Sequence, residues 1–194
     1  MRNFPEYIIS FWACALLGAV PTLINPCLSD KQLLSCVAKT GCSVHIVDPE
    51  RADSFETLNM GDHRPNFIVA RSSEGKGSWM GMKNWNTVFT GSMATSQSWQ
   101  LEPECGPDDD CALMFTSGTT SMPKAVLSTH RSFLSNQISG SYCVLLDMLR
   151  RGEDLPMPDP NEPQTANLLA APLFHVAGLT SSLVCVQHPF CGFG

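Results

Sequence analysis

The stretch Leu113-Met114-Phe115-Thr116-Ser117-Gly118-Thr119-Thr120-Ser121-Met122-Pro123-Lys124 decides how this chain is read. Apolar residues up to Phe115 predict a short strand. Hydroxyls and a glycine follow, and Pro-Lys closes the segment. Thr116, Ser117, Thr119 and Thr120 can each donate a hydrogen bond, Gly118 admits positive φ or a close ligand, and Lys124 adds an ammonium. Clustered donors beside a positive charge stabilise phosphate oxygens, so an anionic ligand is expected here, phosphate first. Ser/Thr/Gly clusters also make ordinary loops. The segment is not a Walker A loop: from Gly118 it lacks the second glycine and has no Ser or Thr after the lysine.

Working outward, Val126 to His130 reads as a second strand, and Ser132 to Leu149 as a helix. Phe133, Leu134, Ile138, Tyr142, Leu145, Leu146 and Leu149 recur in that helix at mostly helical spacing, for which packing is a sufficient reason. Arg150 and Arg151 suit its C-terminal dipole and Gly152 its end. A Pro/acid connector, Leu155 to Gln164, leads to an expected buried strand, Ala166 to Ala171. The chain then reads Pro172-Leu173-Phe174-His175-Val176-Ala177-Gly178. A single histidine after a strand is by itself more often structural than catalytic.

Toward the N-terminus, Asn3, Pro5 and Glu6 mark a helix start and Gly18 its stop. No charge occurs from Tyr7 to Ser29, but the uninterrupted part, Tyr7 to Leu17, is shorter than the ~20 residues of a membrane span. A helix buried in a larger protein is expected, with a membrane anchor as the alternative. Ala19 to Ile24 reads as a strand. Ser29 and Gln32 form a capping box for a helix that runs through Lys39 and stops at Gly41. Ser43–Val47 and Phe67–Ala70 are further strands, with Asp48-Pro49 ending the first. Strand, helix, strand at this spacing predicts an α/β fold with a mainly parallel sheet flanked by helices. Arg71 to Gln100 reads as an irregular surface excursion docked by its tryptophans, and Glu102 to Asp110 as an acidic lead into the central strand.

With 194 residues, 43% of them apolar, the chain can form a real core. Its net charge of −6, without a basic run, gives no reason to expect nucleic acid. The nine cysteines form no C-x-x-C pair and several, such as Cys14, Cys36, Cys143 and Cys185, lie in apolar runs. Buried thiols in a reducing compartment follow, and no metal site is expected.

The segment Asp109 to His130 resembles the phosphate loop of the adenylate-forming (AMP-binding) enzymes, which include acyl-CoA synthetases, luciferases and peptide-synthetase adenylation domains. That family's pattern is T-S-G-[ST]-T-G-x-P-K-G. Thr116, Ser117, Gly118, Thr119, Thr120, Pro123 and Lys124 match it, while Ser121 and Ala125 stand where glycine is usual. Asn3-Phe4-Pro5-Glu6, Gly18-Ala19-Val20 and Ile24-Asn25-Pro26 resemble its earlier motifs, and Pro172 to Gly178 its P-L-F-H-x-x-G motif. The last looks more like fatty or aryl acid–CoA ligases than peptide-synthetase domains.

The resemblance implies part of an adenylate-forming N-terminal domain over 1–194: a strand-helix-strand part (1–70), the excursion and acidic lead (71–110), and the phosphate loop, helix and acyl-pocket motif (111–194). It implies ATP with Mg2+, CoA as acceptor, and a small-molecule carboxylic acid as substrate. Thr116, Ser117, Gly118, Thr119, Thr120, Ser121 and Lys124 would meet the ATP phosphates. Phe174, His175 and Gly178 would form the acid's site, with Lys124 and His175 as the catalytic pair. The family's G-Y-G-x-T-E segment and its metal ligands are not found in this chain, nor are a later ribose-binding aspartate and a C-terminal lysine. The 194 residues are therefore expected to be a truncated ligase that does not adenylate an acid alone; a non-enzymatic remnant that binds a nucleotide or partner is the alternative. A cytoplasmic or peroxisomal location is expected, with no secretion signal. Exposed apolar surface is expected where further chain would pack.

Overall fold

Pro5, whose missing N–H is no loss in a first helical turn, opens helix α1 (Pro5–Leu16), with Glu6 beside it. The computed structural model describes residues 1–58, 65–93, 105–116, 122–154, 165–166, 168–187 and 191–192. Tyr7 and Phe11, one turn apart, are buried, whereas Ile9, Trp12, Leu16 and Leu17 are exposed. Within these residues the sheet beneath α1 covers one face only, and the apolar side chains of the other face stay exposed. Among the described residues no helix is long and apolar enough to cross a membrane.

Strand β1 is only Thr22–Leu23, not the whole of Ala19 to Ile24. Pro21 has no N–H to give a ladder, although its carbonyl accepts from Leu113 N–H at 3.0 Å. Helix α2 (Asp30–Thr40) follows the capping-box reading. Gln32 Oε1 accepts from the Ser29 N–H (3.2 Å) and hydroxyl (2.9 Å). Gly41 ends the helix at φ +58°, a conformation that favours glycine.

After β2 (Val44–Val47), Asp48-Pro49 does not merely turn. It starts helix α3 (Pro49–Thr57), which the sequence reading missed. The buried Asp48 carboxylate accepts from Arg51 N–H at 3.0 Å and from the Arg2 backbone N–H at 2.9 Å. Strand β3 (Asn66–Val69) lies parallel to β2, and β4 (Met82–Asn84) parallel to β3, giving the order β2-β3-β4. Helix α4 (Trp85–Met93) comes next. The excursion expected to be irregular from Arg71 therefore contains a strand and a helix. Its Gly, Ser and Asn content hides them, but Trp79, 5% exposed, donates Nε1–H to Asp53 at 2.7 Å and anchors the chain ahead of β4.

The second sheet is built on β5 (Asp110–Thr116). It pairs in parallel with β1 (Thr22 opposite Leu113) and antiparallel with β6 (Lys124–Thr129), from Thr116 opposite Lys124 to Asp110 opposite Thr129. Helix α5 (His130–Arg150) leaves β6 without a loop, and Thr129 Oγ1 caps it by accepting from Ser132 N–H at 3.2 Å. Phe133 and Gln137 turn inward. Leu134, Ile138, Tyr142, Leu145 and Leu149 are exposed, so packing within these residues does not account for them. Cys143 is exposed as well, against the expectation of a buried thiol.

Short β7 (Thr165–Ala166) and β8 (Cys191–Gly192) pair in parallel around α6 (Val176–Gln187). The buried strand expected at Ala166–Ala171 is confined to its first residue, and Leu168 is 94% exposed. No ladder partner lies beside residues 168–171 among the described residues; Leu169 is half-buried against the first core, while Leu168 and Ala170 stay exposed.

Two cores result. Phe11, Phe133, Leu173, Leu179 and Leu183 pack α1, α5 and α6 on the β5 sheet, with Phe11 and Phe133 ring centroids 6.1 Å apart. Leu33, Val37, Phe55, Phe67 and Trp79 pack α2 and α3 on the β2 sheet, with Phe55 and Phe67 5.1 Å apart. The architecture is α/β with mostly parallel pairing, plus the antiparallel β5-β6 pair.

Candidate functional site

Thr116 ends β5 and Lys124 begins β6, as opposed partners in the last rung of the ladder. The Thr116 hydroxyl donates to the Lys124 carbonyl at 3.4 Å. One residue earlier, the Pro123 carbonyl accepts from Lys39 Nζ at 3.1 Å, and Pro123 itself is buried. Two successive carbonyls are thus held, one from β5 and one from α2. Ser117, Gly118, Thr119, Thr120 and Ser121 lie outside the described residues.

A cavity of about 490 Å³ opens beside this point, and Thr116, Pro123, Phe174 and His175 all line it. Residues almost sixty positions apart in sequence thus share one wall system, because α5 carries the chain from β6 to the far side. Lys124 is exposed and next to the lining rather than part of it. The apolar floor includes Val126 and Phe133.

The His175 side of the cavity is a tight turn. His175 N–H donates to the Pro172 carbonyl at 3.0 Å, and Leu179 N–H to the His175 carbonyl at 3.0 Å, which starts α6. His175 Nδ1 accepts from Ala177 N–H at 3.3 Å, so the neutral ring carries its proton on Nε2. Val176, the first residue of α6, also lines the cavity, and a helix N-terminus favours a negative group. Gly178 does not line the cavity. A Cβ on it would lie 2.1 Å from the Pro172 carbonyl oxygen and 2.8 Å from that of Ala171. Only glycine allows α6 to sit this close to the chain behind Phe174 and His175.

The structure therefore brings Thr116, Phe174 and His175 together, sets Lys124 at the edge, and uses Gly178 for close packing. Sequence reading missed the other polar residues of the wall, Asn25, Ser128, Ser132, Asn136 and Thr180. Asn25 had a signal in Ile24-Asn25-Pro26; the others sit on β6, α5 and α6 with no pattern to mark them. A second cavity of about 390 Å³ lies between the two cores and holds none of the expected site residues. Among the described residues no three His, Cys, Asp or Glu side chains stand close enough to hold a metal ion, so no Mg2+ chemistry is assigned to them.

At the end of the β5-β6 ladder opposite to Thr116, Asp108 and Arg131 fix the start of α5 to the lead into β5. Arg131 Nε and Nη2 donate to the two Asp108 oxygens at 2.7 and 3.0 Å. This hydrogen bonding holds the Asp108 carboxyl below its ordinary range.

Comparison with known proteins agrees with this geometry. The AMP-binding enzyme family model matches residues 1–189. A 4-coumarate–CoA ligase from Oryza sativa subsp. japonica is 30% identical over 95% of this chain and 30% of its own length. A long-chain-fatty-acid–CoA ligase, FadD13, from Mycobacterium tuberculosis is 28% identical over 93% of the chain and 31% of its own length. Among solved structures, the inhibitor-bound N-terminal domain of FACL13 from Mycobacterium tuberculosis superposes with a TM-score of 0.70 at 24% identity, over 100% of this chain and 42% of that one. The luciferase-like enzyme of Zophobas morio gives 0.70 at 19% identity, over 100% of this chain and 40% of its own. The chain spans about 30% of the length of the curated relatives it matches. With the family model covering nearly every residue and the fold in agreement, the chain belongs to the AMP-binding enzyme family.

Proposed function

We propose that this chain is the phosphate-loop and acid-pocket part of an acid–CoA ligase. In that reaction a carboxylate oxygen attacks the α-phosphorus of ATP, forming acyl-adenylate and releasing pyrophosphate. A thiol, that of CoA, then attacks the acyl carbonyl and AMP leaves. The observation that carries the reading is the shared cavity of Thr116, Phe174 and His175 beside Lys124, in a chain of this family.

In this reading Thr116, Ser117, Thr119, Thr120 and Lys124 hold the β- and γ-phosphates and stabilise the charge that builds up on departing pyrophosphate. Gly118 and Ser121 belong to the same phosphate loop, with Ser121 in the place of a glycine. Phe174 and His175 flank the acid's carboxylate end. The His175 Nε2–H and the N-terminus of α6 suit a carboxylate, and the apolar floor suits an aryl or alkyl body. The relatives' names, 4-coumarate and long-chain-fatty-acid ligases, bracket those two acid classes.

A non-enzymatic nucleotide- or partner-binding chain is the second reading, favoured by Ser121 and by the exposed apolar face of α5. An immunoblot of source cells with antibody to residues 109–130 separates the two. A band several times larger than 21.1 kDa is expected and carries the ligase reading. A band at 21.1 kDa overturns it and leaves binding alone.

A further inference from the structure

Asn3 stands at the start of the Asn3-Phe4-Pro5-Glu6 motif, and neither the fold of α1 nor the reaction above requires its side chain. In the structure that side chain bonds to a segment almost 170 residues away. Asn3 Nδ2 donates to the Ala171 carbonyl at 2.9 Å, and Asn3 Oδ1 accepts from the Leu173 N–H at 2.8 Å. The two contacts bracket Pro172, which has no N–H of its own. The Pro172 carbonyl is already taken by the His175 N–H at 3.0 Å. The turn that delivers Phe174 and His175 to the cavity is therefore bonded at each polar group from Ala171 C=O to Leu173 N–H, with Asn3 supplying two of the partners.

We propose that Asn3 is a positioning residue for His175, acting as an amide clamp on the Ala171–Leu173 backbone. The role suits asparagine, whose one short side chain carries both a donor and an acceptor. Aspartate keeps the acceptor but sets a second oxygen against the Ala171 carbonyl. Serine reaches one partner at most. The neighbouring contacts leave the clamp little slack: Leu173 is 3% exposed in the first core, and Gly178 closes on the Pro172 carbonyl without room for a methyl group. Asn3 itself is exposed, so its removal opens no cavity and the consequence travels through the two hydrogen bonds. The proposal's link to catalysis rests on the acid-pocket reading above; its link to His175 does not.

The test uses the whole chain with isotope-labelled histidine. Five histidines give five ring signals, and His175→Gln identifies the one that matters. Asn3→Ala is expected to move the His175 ring signal beyond its linewidth while His45 and His130 stay in place. A general loss of stability would leave the signals of the folded protein where they are. An unmoved His175 signal in folded Asn3→Ala overturns the proposal. If Asn3→Ala does not fold, Asn3→Ser and Asn3→Asp are read in the same way. Titration with 4-coumarate is the second arm: where the native chain binds it, Asn3→Ala is expected to weaken binding roughly tenfold, about 1.4 kcal/mol. Equal binding by both proteins overturns the proposal. Failure of the native chain itself to bind 4-coumarate counts against the acid pocket, and the histidine signals still decide the role of Asn3.

Discussion

Lys39 Nζ and the Pro123 carbonyl oxygen lie 3.1 Å apart, joining the C-terminal turn of α2 to the residue just before Lys124. Lys39 belongs to the helix over the β2 sheet and Pro123 to the edge of the β5 sheet, so this bond crosses between the two halves of the fold. Lys39→Met keeps the length of the side chain and removes the donor. It is expected to speed limited tryptic cleavage after Lys124 severalfold, followed by mass spectrometry, with little change in Tm. Lys39→Arg should return the rate toward that of the native chain.

Gly178→Ala should be among the most damaging small substitutions. Its methyl group would stand 2.1 Å from the Pro172 carbonyl oxygen, and backbone cannot step aside as a side-chain tip can. Overpacking of this kind costs about 1–3 kcal/mol. Urea denaturation should show a loss at or above the upper end of that range, with α6 the element disturbed.

Phe133→Ala removes a ring that is 6% exposed and packed on Phe11, and should cost about 3–5 kcal/mol by chemical denaturation. On the opposite face of the same helix, Ile138 is 65% and Leu145 37% exposed. The pair Ile138→Lys with Leu145→Lys should leave stability nearly unchanged. It should also reduce self-association of the isolated chain, read by light scattering.

The Asp108–Arg131 pair gives a pH dependence of defined sign. Its hydrogen bonds lower the Asp108 pKa from an ordinary 3.8, so the unfolded state takes up a proton first as pH falls. The pair therefore stabilises the fold fully above about pH 4 and loses that contribution as pH drops through the lowered value. Both groups are exposed, so the effect should be small and should fade in high salt. Comparing acid unfolding of the native chain with Asp108→Asn measures it: the variant should lack this part of the acid transition.

The local devices of this chain were legible in its residues. Ser29-x-x-Gln32 and Gly41 bound α2, Pro5-Glu6 opens α1, and alternation of apolar runs with turn residues marks β2, β3, β5 and β6. These signals act within a few residues, through capping bonds, fixed φ and burial period, and need no distant partner. Family resemblance in Thr116 to Lys124 and in Pro172 to Gly178 likewise needed only the order of residues.

Tertiary structure decided everything that depends on who the neighbour is. The start of α3 at Asp48-Pro49 is a local N-cap that the reading passed over, Asp48 accepting from Arg51 N–H three residues on, whereas the bond from Arg2 N–H that holds the buried carboxylate to the N-terminus comes only with the tertiary fold. Met82–Asn84 has little strand propensity and pairs with β3 because Trp79 is anchored on Asp53. Leu168 to Ala171 looks buried in sequence and has no ladder partner among the described residues, and many apolar positions of α1 and α5 face outward because, among those residues, each helix meets a sheet on one side. The same holds at the site. Asn3 and Leu173, Lys39 and Pro123, and Thr116 and His175 are far apart along the chain, and their bonds and shared cavity exist only once the sheets and the helices packed on them have set the distances.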